Sequence, residues 1–421
     1  MIEKLYTSVG ILFFAIAMVL VSILGGMHVS ASQVKRTLPN MKNKGQTEVA
    51  NSSVSIEITL FLCGDVMTGR GIDQIMPSPS DPVIYESYMH SACSYVKLAE
   101  KVNGIIPKPV DSAYIWGDAL AVFERIKPDL RIINLETSVT TSNEYWPKGI
   151  NYRMHPDNIA CLTAARIDGC VLANNHVLDW GRAGLVETLN VLERVGIKQV
   201  GAGKNRDQAA APAIFSIGSK GRLLVFAYGA KTSGIPESWV ATETSMGINL
   251  LPDLSIRTVD HIKESVTSIK RPGDLVLLSI HWGGNWGYAI SESEKKFAHK
   301  LLDNAGIDAI YGHSSHHAKG IEVYKGKLIL YGCGDFLNDY EGIGGHEKYR
   351  NDLVLMYIPS FNVLSGQLVR MSIMPMQVKR FQTVHATPRD KQWLLKTLSR
   401  EGKQFGTEVR LLHDGSFRLI W

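Results

Sequence analysis

No Cys-x-x-Cys pair occurs in the 421 residues, and the five cysteines (Cys63, Cys93, Cys161, Cys170 and Cys333) are odd in number and widely spaced. That excludes a zinc ribbon and a dense disulfide scaffold. Cys63, Cys170 and Cys333 stand in apolar runs and read as small buried hydrophobes. One disulfide stays open if the chain is exported. There is no long basic run behind the net charge of +5, so nucleic acid is not an expected partner. The glycine fingerprint of a dinucleotide site is missing; Gly201-Ala202-Gly203-Lys204 carries one part of it, and a Rossmann reading is rejected. No internal repeat is apparent. Residues 5 to 34 lack Asp, Glu, Lys and Arg altogether, and Val9 to Leu24 is almost wholly apolar. Such a run reads as a signal-peptide core or a membrane helix, since a span needs roughly 20 residues. Lys4 before it and Lys35, Arg36, Lys42 and Lys44 after it leave its orientation open. We expect 1–31 to be a signal peptide or membrane anchor, cleaved near Val29-Ser30-Ala31 or retained. The polar stretch 32–53 reads as a flexible linker, and 54–421 as the folded domain, on the extracytoplasmic side.

What remains is ordinary for a globular chain, 45% hydrophobic and 20% charged, with length for a large core. Short apolar runs alternate with amphipathic ones through the first part and pair as hairpins later. That predicts one large α/β domain with mixed sheets, two of them packed face to face. Asp73 to Ala113, rich in Pro, Ser and Tyr, reads as an excursion. It either covers a site or is plain surface.

The chemistry gathers at strand ends. Ile56 to Cys63 reads as a strand running into Gly64-Asp65-Val66-Met67. Leu130 to Ile133 runs into Asn134-Leu135-Glu136. Val171-Leu172-Ala173 delivers Asn174-Asn175-His176, and a helix begins at Arg182. Asp274 to Ile280 delivers His281-Trp282-Gly283. Asp308 to Tyr311 delivers Gly312-His313-Ser314-Ser315-His316. A polar group at the carboxyl end of a buried strand suits a site at a sheet edge. Each also has a bland reading: Asp65 as a turn residue, Asn174-Asn175-His176 as the cap of the next helix. Converging, they offer carboxylate, amide oxygen and imidazole without thiolate, a set suited to Mn²⁺, Fe²⁺, Zn²⁺ or Mg²⁺. Asp335 and Asn338 read as groups that orient a ligating histidine, or as turn residues. Tyr145 to Arg153 interleaves aromatics with Lys148 and Arg153. It meets an anionic substrate or is a solvated loop.

In this order the motifs resemble those of the calcineurin-like metallophosphatases, and more closely those of the CapA family, the poly-gamma-glutamate capsule synthesis proteins. Gly64-Asp65-Val66-Met67, Asn134-Leu135-Glu136, Ala173 to Asp179, His281-Trp282-Gly283, Gly312 to His316, and Ile321 to Tyr331 into Gly334-Asp335-Phe336 carry the likeness, over roughly residues 58 to 365. It implies a metallophosphatase-like four-layer α/β/β/α sandwich with mixed sheets. It also implies a divalent metal site of one or two ions. Asp65 and His316 would bind the first ion, Glu136 would bridge, and Asn175, His281 and His313 would bind the second. His176 would be the acid or electrostatic stabiliser beside the leaving group. Two positions depart from the phosphatase pattern: Met67 stands where a histidine ligand is expected, and Glu136 replaces the bridging Asp. The function implied is capsule polymer biosynthesis of the poly-gamma-glutamate type, through a metal-dependent hydrolase site acting on an anionic polymer or a phosphoester. Membrane synthase subunits would be the partners. The rival implications are a non-catalytic scaffold of the synthase and a phosphodiesterase acting on a lipid-linked or nucleotide substrate.

Overall fold

The computed structural model describes residues 56–421. The expected export segment and linker lie outside them. Among the described residues no helix is long and apolar enough to cross a membrane.

Leu130–Leu135 and Asp274–His281 are buried at every position, as strands covered on both faces must be. Each organises a sheet. Leu130–Leu135 runs parallel to Glu57–Phe61, Asp65–Val66 and Gly169–Val171. Leu353–Asn362 and Leu368–Lys379 extend that sheet antiparallel, and it reaches eleven strands. In the six-stranded sheet Asp274–His281 lies between Arg222–Gly229 and Ala309–His313, parallel to both. Its edges are antiparallel: Ala213–Ser216 on one side, the hairpin Ile321–Tyr324/Lys327–Leu330 on the other. Lys325 and Gly326 turn that hairpin at φ 50° and 80°, the left-handed pair that suits the twist of the strands. Both sheets are therefore mixed, as expected.

The two-residue alternation of strand side chains places the layers. Ile58, Leu60 and Leu62 of the larger sheet share one core with Leu223, Val225, Leu275 and Leu277 of the smaller. On the other face of the larger sheet Phe61, Ile133 and Cys170 pack beneath Cys93–Asn103, Ala119–Ile126 and Gly181–Arg194. On the other face of the smaller one Leu224, Val276 and Leu278 pack beneath Ile256–Thr267 and Glu292–Asn304. Ser291 starts the last of these helices with a reciprocal capping pair to Glu294. All five cysteines are free.

The excursion from Asp73 to Ala113 is fastened from below by Arg70. Its guanidinium donates to both carboxylate oxygens of Asp339 (2.8 and 2.5 Å) and to Glu86 Oε1 (2.8 Å). All three side chains are buried. Tyr95 OH donates to Glu86, and the Arg70 carbon lies 3.6 Å over the Tyr95 ring and 4.7 Å over that of Tyr152.

Candidate functional site

Asp65 faces Asn134 on one neighbouring strand and Asp335 on the other. Three chains this close need a glycine before Asp65: a Cβ on Gly64 would fall 1.8 Å from Gly334 O. Amides then lock the row. Asn134 Nδ2 donates to Asp65 Oδ1 (2.7 Å), and Asn174 Nδ2 donates to Asn134 Oδ1 (3.0 Å) and Leu135 O (2.9 Å). His176 N–H donates back to Asn174 Oδ1 (3.1 Å), closing an Asx turn. Asn174 therefore shapes its own turn rather than the next helix, Gly181–Arg194, which begins without a side-chain cap.

The smaller sheet brings two imidazoles to the same place. His281 and His313 end adjacent strands in register, with their Nδ1 atoms 2.7 Å apart. Ser279 Oγ lies 2.6 Å from His313 Nε2, and Asn175 Oδ1 2.9 Å from His281 Nε2. After His313 the chain turns through Ser314 at φ 104°, a backbone conformation that serine seldom adopts. The turn aims Ser314 N–H at Asp65 Oδ2 (3.2 Å). It then presents His316, whose Nδ1 lies 2.9 Å from Asp335 Oδ1, while Asn338 Nδ2 donates to Asp335 Oδ2 (2.8 Å).

Glu136 Oε1 stands 3.8 Å from both His176 Nε2 and His281 Nε2. Its Oε2 is buried with no hydrogen-bond partner among the described residues. His176 Nδ1 lies 2.6 Å from Asp179 Oδ2. Asp179 also accepts from Tyr152 N–H (2.6 Å) and pairs with Lys148 (2.7 Å). Thus Asp65, Glu136, Asn175, His176, His281, His313 and His316 are brought together, from five separate stretches of chain.

Burial sets the charges here. Burial first, then the charge of Asp335, pushes the Asp65 carboxyl up to about 7, although Glu136, Asn134 and His316 pull it down. Burial and Asp65 push Glu136 well above the usual range. Burial takes His313 down to about 3. Burial, then His313, takes His281 well down. Burial takes His176 to about 4 against the pull of Asp179. His316 alone rises: burial lowers it, but the charge and hydrogen bond of Asp335 outweigh that. Carboxylates and neutral imidazoles crowded out of water are the donor set of a cation site. Two groups of potential ligand atoms lie within 4.8 Å of one another, Asp65/His281/His313 and Asp65/His316/Asp335.

Several neighbours were not among the expected metal ligands. Asn134, Asn174 and Asp179 hold the turns that carry Asp65, Asn175 and His176, and each stands within three residues of one that was named. Lys148, rather than facing solvent, donates to Asn175 O and pairs with Asp179. Arg153 lies 3.8 Å over the Trp180 ring and bonds loop carbonyls; both its roles are structural. Met67 is buried and accepts from Tyr340 OH at 3.6 Å. Trp282 is packed, with Nε1 on Tyr331 O.

The model of the family described as "Bacterial capsule synthesis protein PGA_cap" matches residues 59–340. The chain belongs to that family. A probable polyglutamine synthesis accessory protein of Mycobacterium tuberculosis is 47% identical over 86% of this chain and 96% of its own length. The capsule biosynthesis protein CapA of Bacillus anthracis is 23% identical over 67% of this chain and 60% of its own. A solved structure of a phosphatase from Mycoplasma pneumoniae aligns with 79% of this chain and 95% of its own at a TM-score of 0.42 and 11% identity. For this PGA_cap member the family match takes in every side chain of the site, from Asp65 to Asn338, and ends before the antiparallel strands Leu353–Asn362 and Leu368–Lys379.

Proposed function

We propose that this chain serves the synthesis of an anionic, polyglutamate-type surface polymer, and that its domain is a metallophosphatase-like four-layer hydrolase dependent on a divalent cation. Family membership and the names of the M. tuberculosis and B. anthracis relatives support the polymer. The apolar segment at 9–24 would keep the domain at the membrane, outside the cytoplasm and beside the synthase subunits. The observation that carries the metal reading is one buried carboxylate, Asp65, common to two groups of ligand atoms, next to a Glu136 oxygen with no hydrogen bond among the described residues. A cation relieves what burial imposes there: carboxylates forced up, imidazoles forced down.

Asp65, Glu136, Asn175, His281, His313 and His316 would hold the ion. When bound, it supplies Lewis-acid polarisation of a phosphoryl or acyl oxygen. The protein does the rest. Asp179 accepts the Nδ1 proton of His176, which leaves the Nε2 lone pair turned toward Glu136. Lys148 and Tyr152 N–H fix that Asp179, so the imidazole takes and returns a proton at one defined atom. Asn134 and Ser314 N–H keep Asp65 from turning away.

One observation favours a second reading, a non-catalytic scaffold guiding the polymer: the buried Met67 where the phosphatase pattern has a histidine. Elemental analysis of the purified full chain separates them. We expect bound transition metal, reduced in His281→Ala with the circular dichroism unchanged. His176→Ala should keep the metal and lower cleavage of poly-gamma-glutamate or a phosphodiester by about 10²–10⁴-fold. A wild-type chain that stays metal-free after reconstitution, or a His281→Ala chain with full metal, refutes the hydrolase.

A further inference from the structure

Met67 leaves the half of the site around His316 short of a donor. Its thioether is a soft ligand, poorly suited to the ions that carboxylates favour, and Tyr340 OH already donates to it. On the neighbouring strand, however, Asp335 stands directly opposite Asp65, both carboxylates out of water. Gly64 and Gly334 let the two backbones close up there. We infer that Asp335 is itself a ligand, holding a second divalent cation together with Asp65 and His316, and so supplies the donor that Met67 cannot. This rests on the metal reading above.

Three features of the carboxylate argue for it. Its orientation is set without His316: Asn338 Nδ2, which also donates to Asn351 O (3.2 Å), holds Oδ2 at 2.8 Å and leaves Oδ1 turned to the site. Its Oδ1 lies 2.9 Å from His316 Nδ1, and the paired Nδ1 atoms of His281 and His313 are 2.7 Å apart. Two ligands each about 2.1 Å from one octahedral ion, at a right angle, lie about 3.0 Å apart, close to the spacing of His316 and Asp335. Finally, the ligand atoms of Asp65, His316 and Asp335 all fall within 4.8 Å of one another, as do those of Asp65, His281 and His313. Asp65 is the group the two sets share, so it lies between the two ions, at the place the phosphatase pattern gives to Glu136.

The alternative is that Asp335 only orients His316. Loss of an orienting partner lowers metal affinity by roughly 10–100-fold but keeps the number of ions; loss of a ligand removes one. The test loads the full chain with Mn²⁺, counts bound ions by elemental analysis after gel filtration, and tracks the spin-coupled pair by electron paramagnetic resonance. We expect two ions in the wild type and one, uncoupled, in Asp335→Ala. His281→Ala should keep one ion, and the double variant none. If Asp335→Ala does not fold, Asp335→Cys gives the same answer another way: a thiolate ligand makes the second ion weak for Mn²⁺ and tight for Cd²⁺, a switch that an orienting residue does not produce. Two ions in Asp335→Ala at any affinity overturn the inference. So does a single wild-type ion that His281→Ala removes and Asp335→Ala leaves; the hydrolase reading then stands. No ion in the wild type is the failure of that reading, and is seen before any variant is compared.

Discussion

Replacing Arg70 by methionine keeps an unbranched stem but removes the guanidinium and its charge. Asp339 and Glu86 are then left in the interior with no cation, both at most 1% exposed. Removing one partner of a buried ion pair costs about 3–5 kcal/mol, because the remaining charge stays desolvated. Unfolding entropy is about 2.1 cal/mol/K per residue, so for a domain of roughly 370 residues this corresponds to a melting point lower by about 4–6 °C. Arg70→Lys should recover little. One ammonium cannot span two oxygens of Asp339 and one of Glu86 while lying flat on Tyr95. The decisive comparison is Arg70→Met with Asp339→Asn, singly and together, by calorimetry and chemical denaturation. Once the aspartate is neutral, losing the arginine costs less, so the double variant falls short of the sum of the singles by at least about 1 kcal/mol. A shift under about 1 °C for Arg70→Met, or strict additivity, would refute the claim that the buried Arg70–Asp339 pair stabilises the fold. The effect should reach the site too. Tyr152, beneath the guanidinium, sets its ring edge on His176 at 4.5 Å, and Tyr340, hydrogen-bonded to Tyr152, does the same to His316 at 5.3 Å.

Gly64→Ala should fail in a different way. Its methyl would meet backbone, not a flexible side chain, so strands Asp65–Val66 and Asp335–Leu337 must part. Overpacking of this kind costs about 1–3 kcal/mol or more, and we expect soluble protein with less bound metal, measured by elemental analysis; unchanged metal content would show that the close approach is dispensable. His317 predicts a pH dependence. Burial takes it down to about 4, below the ~6.5 of an unfolded histidine. The unfolded chain therefore binds a proton that the folded one refuses. The stability involved is present above about pH 6.5 and lost as pH falls toward about 4. Urea titrations of metal-free protein near neutral pH and about two units lower should show a smaller drop in His317→Phe than in wild type; an equal drop would contradict the assignment.

The strand ends were legible because each is an apolar run broken by polar residues, with glycine adjoining Asp65 and His313, a local pattern that needs no knowledge of partners. The mixed sheets could be read from the change between alternating and hairpin-forming segments, and the Lys325-Gly326 turn from its dipeptide. What lay beyond reach was pairing across long sequence distance. Nothing near Asp335 says that Asp65, far upstream, will lie opposite it, or that Gly64 and Gly334 will touch. Lys148 shows the same limit from the other side: its aromatic neighbours suggested a surface for anions, whereas an aspartate within the fold, Asp179, takes its charge. The bland reading of Asn174 as a helix cap failed for a physical reason, since an Asx side chain bonds its own backbone as readily as a helix end.

Asp65, Asn134 and Asp335 belong to the larger sheet, His281 and His313 to the smaller. Ser314, leaving the smaller sheet, reaches back to Asp65. The site is thus a seam, and a cation held by these residues would be bonded to both halves of the sandwich at once. Occupancy would then work as a clasp. It would resist sliding of one sheet over the other, and with the metal bound the strand ends on the two sides should lose or keep their hydrogen-exchange protection together rather than one by one.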